Sequence, residues 1–78
     1  MSSKVAHRVA HEAWKIRSLN AAPRSFEFQL GWIAALAARI AQEPVSPPYK
    51  TGTLDAEEFS KGVSEFHEER ARKVKKPL

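Results

Sequence analysis

The 78-residue chain has no cysteine, which removes disulfides and thiolate chemistry from consideration and suits a reducing, cytoplasmic setting. It has three glycines, and none belongs to a glycine-rich loop that would cradle phosphate. Its longest uncharged apolar run, residues 30–38, is nine residues long, against the ~20 that a membrane span needs. The opening MSSKVAHRVAHEAWK carries charges and histidines where a secretory leader would be apolar. A chain this short holds one domain, and folding buries only ~60% of its unfolded surface.

Charge is present in quantity but unevenly spread. The net +4 resolves into +3 over residues 1–43, −4 over 44–69 and +5 over 70–78. The acidic middle argues against a uniform phosphate-coating surface, although each basic end suits nucleic acid or an acidic protein.

Apolar spacing predicts an all-α fold of three helices, over about residues 4–18, 24–42 and 54–73. In the first, Val5, Ala6, Val9, Ala10, Ala13 and Ile16 form the expected core side, with His7 and Trp14 at its border. Ser2 or Ser3 is its expected cap, and Asn20 its expected stop. Pro23 is expected in the first turn of the second helix, and the short break predicts an antiparallel αα-hairpin. Pro44, Pro47 and Pro48 make residues 43–53 an extended connector, pinned by Val45 and Tyr49. The third helix is expected to start after Thr53 and to dock through Ala56, Phe59, Val63 and Phe66, with its C-terminal end projecting into water. Glu57–Lys61, Glu68–Arg72 and Glu69–Lys73 are spaced as ion pairs one turn apart, and residues 70–78 read as a basic tail.

The second helix is the informative one. Phe26, Leu30, Ile33, Ala37 and Ile40 mark one side, while Phe28, Trp32 and Ala35 mark another. A surface helix normally has one apolar stripe, so this one either has neighbours on two sides or leaves a face for a partner. Gly31, Ala34, Ala35 and Ala38 form a small-residue strip suited to close approach, expected to be that of the first helix.

Chemistry has little to stand on. His7 and His11 are spaced to share an ion, but a zinc site needs three or four ligands and their helix is bordered by Lys4, Arg8 and Lys15. No nucleophile motif is present, so neither an enzyme, a metal nor a cofactor is expected. Binding is better supported. Trp14, Phe28, Trp32 and Arg39 are residue types enriched in protein hot spots and are the candidates for a partner-binding patch, unless the third helix and the connector cover Phe28 and Trp32. Lys4, Arg8 and Lys15, with Arg70, Arg72, Lys73, Lys75 and Lys76, are the candidates for nucleic acid or an acidic partner.

The pattern Ala6-His7-x-x-Ala10-His11-x-x-Trp14, followed by Phe26-x-x-x-Leu30-x-Trp32, resembles the small helical accessory proteins of phages and mobile elements, including anti-CRISPR proteins. That resemblance implies a non-catalytic protein that acts by occupying a surface of a larger complex. It implies no particular site residue. The expectation is therefore a small docking protein for a larger protein or nucleoprotein complex, with a homodimer possible through the second helix. The alternative is a nonspecific nucleic-acid-binding accessory that uses its basic tail.

Overall fold

The computed structural model describes residues 3–19 and 21–74, which form three α-helices and, among the described residues, no strand. They are α1 (Ser3–Ser18), α2 (Phe26–Ala41) and α3 (Leu54–Val74). The all-α class and three-helix order are as the apolar spacing predicts. The expected caps Ser2 and Asn20 lie outside the described residues.

Local chemistry sets the helix ends. Ser25 caps α2, its hydroxyl oxygen accepting from the Phe28 amide at 3.2 Å while the hydroxyl donates to Glu58 on α3 at 3.0 Å. Pro23 therefore precedes the helix and is not in its first turn. Here a serine side chain satisfies an amide that a prolyl start would leave to water. Gln42 closes α2 in the left-handed region at φ 58°, and the Glu43 amide reaches back to the Ala38 carbonyl at 2.8 Å. Gly52, at φ +91°, turns the connector into α3, and Thr53 caps it by accepting from the Ala56 amide at 3.2 Å.

Helix α2 lies between the other two, packed on α1 on one side and α3 on the other. This accounts for its apolarity all round. Its contact with α3 passes through two facing glycines. A Cβ on Gly31 would fall on the Phe59 carbonyl, whose carbon would be 2.8 Å away, and one on Gly62 would come 2.8 Å from the Trp32 amide nitrogen. The tight approach expected of Gly31 is thus made to α3, not to α1. Gly62 stands in line with Phe59 and Phe66 and lets the two backbones meet.

Helix α1 faces inward along a different line from the expected one. Ala6, Ala10 and Trp14 are buried, whereas Val5, Val9 and Ile16 face out. The two arcs are centred roughly 100° apart on the helix, so only one of them can meet α2. The arc with the large indole wins, because Trp14 removes more apolar surface from water than the valines would. Its ring lies 5.4 Å from that of Trp32 and 6.2 Å from that of Phe28.

The connector runs as expected, with Val45 half-buried against the core and Tyr49 edge-on to Phe59 at 5.9 Å. The end of α3 departs from expectation. Phe66 is buried edge-on against Trp32, as its place in the stripe predicts, but Glu69 bonds across to α1, so the helix stays tied to the fold beyond that stripe. Of the expected one-turn ion pairs, Glu57–Lys61 and Glu68–Arg72 give way to others among the described residues, and Glu69–Lys73 involves a side chain that lies outside them. Lys61 bonds Glu58 at 3.1 Å, Arg72 bonds Glu65 at 3.5 Å, and Glu69 is claimed by Arg17.

Candidate docking face

Three of the four residues offered for partner binding are core. Phe28 is 1% exposed, Trp32 6% and Trp14 7%, so the patch expected around them is not on the surface. Trp14 packs at a tilt against both Phe28 and Trp32, and the Arg24 guanidinium sits 4.0 Å over the Phe28 ring. Arg39 is exposed, but without the aromatic neighbours that gave it a role. It is α3, not a partner, that covers this side of α2.

At one end of the core the three helices are tied by a polar cluster. Arg17 of α1 donates to the Glu69 carboxylate from Nε at 2.9 and 3.0 Å and also from Nη2. The Trp32 indole N–H donates to the same carboxylate at 3.2 Å. The Arg17 guanidinium lies 4.9 Å from the Trp14 ring centre and 5.7 Å from that of Trp32, within cation–π range. The hydrogen bonds from Arg17 hold the Glu69 carboxyl below its ordinary titration range, against partial burial, with the Trp32 bond adding to the effect. No sequence signal paired residues 17 and 69, which meet only because the helices fold back on one another.

Beside this cluster lies an open groove of about 800 Å³, bounded by Ala13 and Ile16 of α1, Trp32 and Leu36 of α2, and Phe66 and Arg70 of α3. Its α1 lip continues into an exposed apolar strip, with Val9 45%, Ile16 69% and Leu19 79% exposed. Val5, at 44%, lies on the same line. The steps between these residues are four, seven and three, which keeps them on one side of the helix, with the exposed Glu12 between Val9 and Ile16. Sequence reasoning assigned Val5, Val9 and Ile16 to the core. The signal available was that Trp14 lies in register with Ala6 and Ala10, whose small side chains allow α2 to come close.

The basic candidates divide. Lys4, Arg8 and Lys15 are exposed along α1, with Lys15 3.5 Å from Glu12. Arg70 is half-buried in the groove wall, and Arg72 is bound to Glu65, so both are tied to the fold and not part of a free tail. The Lys73 side chain, Lys75 and Lys76 lie outside the described residues. His7 and His11 are exposed on α1, and His67 lies edge-on to Phe66 at 5.4 Å. Among the described residues no three His, Asp or Glu side chains converge as metal ligands would, and no helix is long and apolar enough to cross a membrane.

Set against known proteins, the chain matches no protein family, no curated protein and no solved structure.

Proposed function

We propose that this chain is a non-catalytic binding protein that docks on a larger protein or nucleoprotein complex and inhibits or adapts it. The docking surface in this reading is the outward strip of α1 with the α1–α3 groove, in place of the buried aromatics. The observation that supports it is the exposure of Ile16 and Leu19, at 69% and 79%, beside an apolar groove. Isolated exposed apolar residues are ordinary, but several on one side of a helix beside an apolar groove mark an interaction surface, here with Glu12 as the one charge among them. The resemblance to anti-CRISPR-type proteins agrees with inhibition by occupancy.

The test is affinity capture from a nuclease-treated extract of the source cells, with the wild-type chain and with an Ile16→Asp, Leu19→Asp variant as baits. Both positions are exposed, so the variant retains its helical circular dichroism. The reading expects a protein partner held by the wild type and lost by the variant. Equal capture by both baits refutes it.

A second reading rests on Lys4, Arg8 and Lys15, exposed on one helix together with the cations beyond Glu69. It makes the chain a nonspecific nucleic-acid accessory. It expects retention of DNA or RNA at ~50 mM salt that falls steeply as salt rises, and no retention at that salt removes it.

A further inference from the structure

The open face has a shape and a border that specify what would lie on it. From Val5 to Leu19 the strip runs about 21 Å along α1, four helical turns. Beside it the groove is open to one side, with Leu36, Trp32 and Phe66 in its lining. A small ligand is held in a concavity that encloses most of its surface, and this groove leaves a side uncovered. A strip of this length beside an open groove suits a helix that inserts side chains at successive turns.

The border is basic on both sides. Lys4, Arg8 and Lys15 run along α1 on the side of the strip away from the groove, and Arg70 and Arg72 stand on the far wall. Against these five cations stand Glu12, which lies within the strip between Val9 and Ile16 and pairs with Lys15, and Glu65, bound by Arg72. Arg17 and Glu69 neutralise each other within the groove. A second copy of this chain would bring its own α1 cations against these, and like charges across an interface penalise that pairing.

We infer that the α1 strip and α1–α3 groove receive an acidic amphipathic helix of another protein, its apolar side chains in the groove and its carboxylates against Arg8, Lys15 and Arg70. This rests on the docking reading above and adds the chemistry of the partner. The apolar contact supplies affinity, and the flanking charges select the sign of the partner.

The probe is a pair of synthetic helical peptides of about 16 residues, with leucines at three-and-four spacing, one flanked by Glu and one by Lys. Each is titrated into the full chain while its tryptophan emission is followed, since Trp32 lines the groove. The Glu peptide is expected to bind about tenfold or more tightly than the Lys peptide at ~50 mM salt, with the gap narrowing as salt rises. Ile16→Asp or Leu19→Asp abolishes that binding, and Arg8→Glu with Lys15→Glu reverses the preference. Equal affinities, preference for the Lys peptide, or no binding of the Glu peptide at about 1 mM overturns the inference. So does a concentration-dependent doubling of mass that Ile16→Asp removes, since a second copy would then occupy the face. Extract capture that still depends on Ile16 while the Glu peptide fails leaves the docking reading standing and removes only the acidic helix. Capture indifferent to Ile16→Asp removes both.

Discussion

Replacing Gly31 with alanine is expected to destabilise this protein, although the same change in an ordinary helix would stabilise it. Alanine is favoured over glycine by about 1 kcal/mol in a helix interior, so α2 alone would gain. In the fold the new methyl would overlap the Phe59 carbonyl, 2.8 Å from its carbon and 3.1 Å from the Phe59 Cα. These are backbone atoms of α3, so no side chain can rotate aside. Carbon atoms sit about 3.5–4.0 Å apart at rest, so the helices must separate by about 1 Å at the crossing. A gap of that size forfeits up to about half of the dispersion energy between the surfaces it parts. Those surfaces include Phe28, Phe59 and Phe66, three of the most deeply buried side chains.

Overpacking of this kind costs about 1–3 kcal/mol, and a backbone clash belongs at the upper end. After the helix-propensity gain, a net loss of about 2 kcal/mol remains, out of a total of about 4–12 kcal/mol for a chain this size. Gly62→Ala meets the reciprocal obstacle, the Trp32 amide nitrogen at 2.8 Å and the Phe28 carbonyl carbon at 3.0 Å. Because the second methyl enters a gap the first has opened, the double variant should lose clearly less than the two single losses combined. Urea unfolding followed by tryptophan emission measures all three, and each single variant should melt roughly 8–16 °C lower. A Gly31→Ala variant as stable as wild type, or losses that add fully, would mean that α2 and α3 do not meet at these glycines.

Three further outcomes follow from the polar contacts and the core. Glu69→Gln should cost about 1 kcal/mol at pH 7, because the Arg17 ion pair is only partly buried. It should also flatten the acid limb. The folded-state carboxyl titrates below its unfolded value, so the stability it gives is present above about pH 4–5 and is lost as pH falls through the depressed value. Chemical melts at several pH values check this, and an unchanged slope below pH 5 in the variant would refute it. Ser25→Ala should cost about 1 kcal/mol by uncapping α2 and breaking the link to Glu58, read as a lower urea midpoint with an unchanged slope. Trp32→Ala should cost about 3–5 kcal/mol and bring the chain close to unfolding, whereas Ile16→Asp should change the melting midpoint little, which thermal circular dichroism distinguishes.

How far the sequence reached depended on the kind of signal. Helix positions were legible where Thr53, Gly52 and the three prolines of the connector act locally, as was the pinning by Tyr49 and Val45, whereas the Ser25 cap was passed over for Pro23. The crossing partner of Gly31 was not legible, since a small residue invites approach without naming what approaches, and Gly62 stood unremarked in the α3 stripe. Nor was the Arg17–Glu69 bond, which joins residues 52 apart in the chain. The orientation of α1 failed for a different reason. Both Ala6-Ala10-Trp14 and Val5-Val9-Ile16 are apolar, and periodicity alone cannot rank two arcs about 100° apart. Residue size ranks them, once the energy of burying an indole is set beside that of a valine.

That ranking also fixes where surplus apolar surface must appear. Helix α2 has a helix on each side and hides most of its apolar surface, including Phe28 and Trp32, leaving Phe26 exposed at its first turn. Helix α1 brings its backbone close to α2 alone, meeting α3 through the Arg17–Glu69 bond, and a helix with a single close neighbour can bury a single arc. Turning Trp14 inward therefore obliges Val9 and Ile16 to face outward, whatever the loops do. The chain does own more apolar surface than it can shield, and apart from Phe26 and Leu54 at the starts of α2 and α3 the excess is carried by the helix with one neighbour and the residue that follows it. A docking surface sought from hydrophobicity alone lands on α2, in the core. One sought from hydrophobicity and the number of neighbours lands on α1, beside the groove and between two rows of cations.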